Sequence, residues 1–158
     1  MSGAAPVRYM ERSRDFYAAQ GYAVPYQWAR FDDVPFHPLS RPLAESTVAV
    51  VTTAMPDASC QGRQRRFAVG DLHNPPAHLY TGGLAWDEGA THTDDRETYL
   101  PVEQLGHLVA VGRIRALGPH FYCVPTSYSQ RQTVEQDAPA VVAGCRADGV
   151  DIALLVPL

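Results

Sequence analysis

The stretch Thr47-Val-Ala-Val-Val-Thr-Thr-Ala54 decides the fold. Its apolar and β-branched residues follow one another without a polar alternation. That is the pattern of a strand buried on both faces of a parallel sheet, not of one with a solvated side. A second run of the same kind, Val150-Asp-Ile-Ala-Leu-Leu-Val156, closes the sequence. Between the two, Pro101–Val111 reads as a helix: Pro101 suits the first turn, Val102, Leu105, Leu108 and Val109 share a face, and Gly112 stops it. Thr133–Asp148 carries Val134, Ala138, Val141, Val142 and Cys145 at helical spacing, with Gly149 as its stop and a start or bend near Asp137 imposed by Pro139. Short extended segments fit 66–69 and 113–124.

Strands and helices in this alternation predict an α/β fold: a three-layer, mainly parallel, doubly wound sheet of the flavodoxin or Rossmann type. Residues 1–158 are expected to form a single domain, with 46–158 the sheet-forming core. Residues 1–45 contribute an N-terminal helix, Val7–Gln20 stopped by Gly21, and an extended arm. Pro25, Pro35, Pro38 and Pro42 forbid regular structure in that arm, and Tyr26, Trp28, Phe31 and Phe36 call for packing against the core. In such sheets ligands sit beyond the carboxyl ends of the strands. The loop after Ala54 and whatever follows Val156 are therefore the places to look.

Composition narrows the chemistry. All 13 basic residues are Arg, a bias typical of GC-rich coding. Without Lys there is no Schiff-base lysine and no phosphate-loop lysine, which excludes aldolase-type, pyridoxal-phosphate and P-loop nucleotide mechanisms. A net charge of -4 gives no footprint for nucleic acid, and Arg63, Arg65 and Arg66 are too short a cluster to track a phosphate backbone. No apolar run approaches the ~20 residues of a membrane span, and residues 8–15 lack the apolar core of a signal peptide, so a cytoplasmic location is expected. Cys60, Cys123 and Cys145 form neither a disulfide framework nor a zinc pattern, and no metal site is expected.

Several segments together resemble component B of the glycine, sarcosine and betaine reductases and the related D-proline reductases, the selenoprotein B family. They are Trp28-Ala-Arg-Phe-Asp-Asp-Val-Pro-Phe-His-Pro-Leu39 with Pro42-Leu43, Ser46-Thr-Val-Ala-Val-Val-Thr-Thr-Ala54, Trp86-Asp87, Asp94-Asp95 leading to Tyr99-Leu-Pro101, Leu105 through Gly112-Arg-Ile114, and Asp148-Gly-Val-Asp-Ile-Ala-Leu-Leu-Val-Pro157. The resemblance runs over nearly the whole chain. It implies an oxidoreductase that cleaves a carbon–heteroatom bond reductively, with a small-molecule substrate and either a thioredoxin-like electron donor or sister reductase subunits as partners. In that family the matching last strand is followed at once by selenocysteine or cysteine, two residues and cysteine. Selenocysteine is read from UGA, so the resemblance implies a redox pair beginning just beyond Leu158, with no separately bound cofactor. The position where relatives carry a His four residues before Asp87 holds Gly83 here.

Read as chemistry, an activated thiol or selenol needs cationic neighbours or a helix N-terminus, and without Lys these must be Arg, His or helix dipoles. Cys60, upstream of Arg63, Arg65 and Arg66 in the loop that follows Thr52 and Thr53, is the candidate thiol of the chain itself, or else an ordinary loop cysteine. His92 with Asp87, Asp94 and Asp95 is a candidate proton shuttle or cation site, or else a solvated acidic loop. Tyr128, Ser129 and Arg131 precede a helix and are candidates to hold a carboxylate or phosphate; Thr133 and Gln136 at capping-box spacing give the plainer alternative. The rival functions are a non-catalytic binding module or subunit derived from the family, and a thiol enzyme using Cys60 alone. A homo-oligomer is also expected if the last strand leaves an edge open.

Overall fold

β-branched residues make poor helices and good strands because their stiff side chains fit a pleated surface, and the centre of this molecule is built from them. The computed structural model describes residues 8–24, 30–34, 37–60, 66–82, 92–127 and 129–158. The chain forms two units, residues 1–36 and 37–158.

In the first unit, helix α1 spans Tyr9–Ala19 and buries none of its residues. Met10 and Tyr17 stay exposed, while Val7, where the helix was expected to begin, lies outside the described residues. Tyr17 meets Phe16 and Tyr22 edge-on at 5.8 and 5.7 Å. Gly21 ends the helix at φ 84°, a conformation that only glycine reaches without strain.

The second unit is an open, mostly parallel sheet of five strands with a helix on each face. Strand β1, Thr47–Thr52, is buried at all six positions, as its unbroken apolar run requires. Strand β2, Ala68–Asp71, is the antiparallel member, aligned Ala68↔Cys123 through Asp71↔His120. Strands β3, Ala116–Leu117, and β4, His120–Cys123, are separated by Gly118-Pro119 and pair in parallel with successive halves of β1. Strand β5, Ile152–Val156, runs parallel along β1 from Val48↔Ile152 to Thr52↔Val156. β5 therefore takes one side of β1, and β3 and β4 share the other. The antiparallel direction of β2 departs from an all-parallel sheet and leaves it mainly parallel, as expected.

Alternation along β1 sends Val48 and Val50 into a cluster with Tyr99, Leu100 and Leu105 on the side of helix α2, Val102–Ala110. Ala49 and Val51 join Tyr122, Val141 and Cys145 on the opposite side, under helix α4, Ala138–Ala147. β4 obeys the same period of two: Phe121 enters the first cluster and Tyr122 the second. Both rings are seated against glycine. A methyl group at Gly70 would enter the Phe121 ring, and one at Gly144 would stand 2.5 Å from Tyr122.

Side chains close the ends of the sheet. Asp151 accepts the Thr47 N–H at 2.8 Å and ion-pairs with Arg41 at 3.4 Å and Arg115 at 3.8 Å. The start of β1, the approach to β3 and the entry to β5 are thereby fastened together at the amino edge. On the α2 side, the Glu97 carboxylate accepts the N–H groups of Glu103 and Gln104 at 3.0 and 3.1 Å, satisfying donors that every helix start leaves open. Among the described residues no helix is long and apolar enough to cross a membrane.

Candidate functional site at the carboxyl edge of the sheet

Three parallel strands finish level with one another. The register Thr52↔Cys123 and Thr52↔Val156 brings the ends of β1, β4 and β5 to one edge. The exit of the first strand and the end of the last are joined by a direct bond: the Leu158 N–H donates to Thr53 Oγ1 at 2.9 Å. Thr52 Oγ1 accepts the Ala54 N–H at 3.2 Å, turning the chain as it leaves the strand. The segment beyond is fixed by a reciprocal bridge, Met55 N to Tyr80 O at 2.9 Å and Tyr80 N to Met55 O at 2.6 Å.

A cavity of about 490 Å³ opens at this edge on the α4 side. β1 and its exit contribute Val51, Thr52 and Thr53, and β5 contributes Ala153, Leu155 and Val156. The third wall is helical: Thr133, Asp137, Val141 and Val142. This wall is not a regular helix. A short α3, Gln130–Gln132, passes into a π-helical segment, Thr133–Asp137, before α4 begins. Pro139 explains the widened turn, because it has no N–H to offer the carbonyl four residues back and its ring crowds that carbonyl. Asp137, just before this proline, is 6% exposed.

Thr52 and Thr53 are thus brought to the cavity, and among the described residues the other expected site residues are not part of its lining. Ser129 caps α3 by accepting the Gln132 N–H at 3.3 Å, and its own N–H is held by Ser127 Oγ at 3.0 Å. The cap therefore falls one turn before the expected Thr133, which instead bonds back to the Ser129 carbonyl at 3.4 Å. Arg131 is exposed on α3. His92 and Asp94 face solvent as a loose pair 3.6 Å apart. Asp95 caps the turn Arg96–Thr98 by accepting the Glu97 N–H at 2.9 Å. Asp87 and Tyr128 lie outside the described residues. Among the described residues no group of three or more His, Cys, Asp or Glu side chains is placed to hold a metal ion.

Two of the three thiols, Cys60 and Cys123, are interior, and Cys145 is half-buried. Cys60, in the turn Ala58–Cys60, is 8% exposed and packs in the α2-side cluster together with Cys123. Burial, with the neighbouring Cys60 adding to it, pushes the Cys123 thiol up to about 12. Burial also raises Cys145, helped by the Asp148 carboxylate. A neutral, shielded thiol is a poor nucleophile, so neither Cys123 nor Cys145 is prepared for attack.

A polar cluster that the sequence did not announce sits where α4 ends. Asp148 accepts from Tyr122 Oη at 2.5 Å and pairs with His120 Nδ1 at 2.9 Å. Desolvation works against the carboxylate, but the bonds from Tyr122 and then His120 outweigh it and hold its pKa below the usual value. Burial first, and the Asp148 bond second, drive the Tyr122 hydroxyl upward, so it remains a donor. The cluster ties α4 to β4.

The molecule is therefore an α/β domain of the class that presents a ligand site beyond the carboxyl ends of parallel strands. It is similar to the gamma subunit of component B of the glycine reductase complex from Carboxydothermus hydrogenoformans, with 27% identity over 137 residues. That match covers 79% of this chain and 31% of the relative, so the chain spans about a third of the relative's length. This likeness supports a glycine-reductase-like family. No protein-family model matches the chain, and no solved structure does.

Proposed function

We propose that the chain is a domain of a glycine-reductase-like oxidoreductase and that its carboxyl edge, from Thr52-Thr53 to Val156–Leu158, is the reaction edge. The carrying observation is the meeting of β1 and β5 there, sealed by the Leu158–Thr53 bond and bordered by the cavity. The distant likeness to a glycine reductase subunit supports the reaction class. The net reaction cleaves a carbon–heteroatom bond: carbon gains a hydrogen, the heteroatom leaves protonated, and a dithiol supplies both electrons and both protons as it becomes a disulfide.

The reacting group is a cysteine or selenocysteine encoded just after Leu158, which enters the edge next to Thr53. Its activation falls to hydroxyls, peptide dipoles and Arg or His, since the chain has no Lys. The electron donor is a thioredoxin-like dithiol protein or a sister reductase subunit. The test is the coding sequence downstream of Leu158, together with the mass of the protein isolated from its own cells grown with selenite. An in-frame UGA or cysteine codon and a matching product mass are expected. A UAA or UAG codon at that point overturns the proposal.

A further inference from the structure

We propose that the cavity between β5 and α4 takes a neutral carbonyl compound with a branched hydrocarbon body, held by a hydrogen bond from the Thr53 hydroxyl. The inference rests on the proposed reaction edge only in making such a compound the substrate class; the binding itself is argued from the cavity.

Its volume of about 490 Å³ falls within the roughly 300–1,000 Å³ usual for small-molecule sites. Valine, leucine, alanine and proline side chains supply most of the wall, so a ligand gains mainly by burying hydrocarbon there. Charge is poorly served. Among the described residues the lining contains no Arg or His, so nothing offsets the desolvation of an anion. The carboxylate of the lining, Asp137, is already engaged within the chain, so a cation finds no uncommitted partner either.

The hydroxyls of the wall reduce to one anchor. Thr133 donates to the Ser129 carbonyl at 3.4 Å, and Thr52, 1% exposed, has too little surface to meet a ligand. Thr53 is half-buried, and its Oγ1 accepts the Leu158 N–H at 2.9 Å. That bond uses a lone pair and leaves the hydroxyl proton to be donated. A carbonyl oxygen meets this donor and brings no donor of its own. An alcohol or an ammonium carries further N–H or O–H groups into a wall of hydrocarbon, where an unmade bond costs more than a made one contributes. A free amino acid as small as glycine fits poorly: both its ends are charged, and it has no hydrocarbon to bury against Val142 and Leu155.

The test is a methyl-detected NMR titration of the 158-residue chain with methyl isobutyl ketone, isoamyl alcohol, isoamylamine, isovalerate and acetone. These share or lack the branched body and differ in charge and in donors. The ketone is expected to shift the methyl signals of Val142, Leu155 and Ala153 saturably and to leave that of Leu105, in the α2-side cluster, in place. It should bind about tenfold or more tighter than the amine and isovalerate, with the alcohol between them. Acetone, lacking the branched body, should also be about tenfold weaker. Thr53→Val should weaken the ketone by about threefold to tenfold, and Thr53→Ser should keep its affinity within about twofold of the parent. Val142→Trp, at an exposed cavity position, should abolish binding while the chain keeps a cooperative thermal transition. Amine or isovalerate binding as tight as the ketone, ketone affinity unchanged in Thr53→Val, binding that survives Val142→Trp, or no saturable binding of any probe overturns the proposal. None of these readings involves turnover or the codon after Leu158, so failure of the reductase reading leaves them unchanged.

Discussion

β1 and β5 lie side by side in parallel register, have nearly the same apolar chemistry, and live in different surroundings. Every residue of β1 is buried, whereas Ala153, Leu154 and Leu155 of β5 are exposed, Leu155 by 68%. The difference is made by neighbours. β1 has β5 on one side, β3 and β4 on the other, and the side chains of α2 and α4 above and below; β5 has β1 alone as a partner strand among the described residues. An apolar run thus states what a strand needs on its faces, and the rest of the chain determines how much of it is supplied. The cavity is the local result: it opens where the α4 side of β5 is incompletely covered.

The largest expected effect breaks that comparison directly. Val50→Asp places an unpaired carboxylate in the fully buried centre of β1 and should cost about 3–5 kcal/mol, enough to unfold much of the protein. Leu155→Asp changes the same chemistry in the neighbouring strand and should cost less than about 1 kcal/mol. Chemical denaturation of both variants checks this; comparable losses would show that β5 is as enclosed as β1.

A smaller effect sharpens the contrast along one helix. Gly144 faces the Tyr122 ring, so Gly144→Ala should destabilise by about 1–3 kcal/mol through overpacking. Val142, two residues earlier, lines the cavity, and enlarging it to Trp should shift stability by less than about 1 kcal/mol. Thermal denaturation ranks the two, and a reversed order would mean that the cavity wall is the tighter packing.

The smallest effect depends on pH. The folded pKa of Asp148 is depressed, so its contribution is complete above the ordinary carboxyl range and is lost as pH falls through the lower folded value. The stability gap between the parent protein and Asp148→Asn should be about 1 kcal/mol near neutral pH, the usual worth of such hydrogen bonds, and close as pH falls below the ordinary carboxyl range. A gap that ignores pH would show that the α4 latch does not depend on the ionised carboxylate.

Much of the fold was legible because it rests on local signals. The β1 run, the stops at Gly21, Gly112 and Gly149, all at positive φ, and the apolar face of α2 required no knowledge of distant residues. The direction of β2 was not legible, since pairing is a property of two segments and its four residues fit either orientation. The π-helical turn was half visible: Pro139 announced an irregularity without saying that the helix would widen instead of starting afresh. Cys60 shows the limit most clearly. Its loop position said nothing of burial, and a short turn leaves it 8% exposed in the cluster that also holds Cys123. Asp137 was marked only as the place where a helix starts or bends, and the convergence of β1, β5 and the helical wall makes it part of a cavity.

The placement of β1 also sets the pace of folding. The Asp151 carboxylate that holds the Thr47 N–H lies 104 residues further along the chain. At ribosomal rates of about 5–20 residues per second, β1 waits roughly 5–20 s for the strand that covers its side. During that interval an uncharged, β-branched hexapeptide has an open edge, the combination that seeds aggregation. The sheet's most deeply buried strand is therefore the segment of the nascent chain in greatest need of a chaperone.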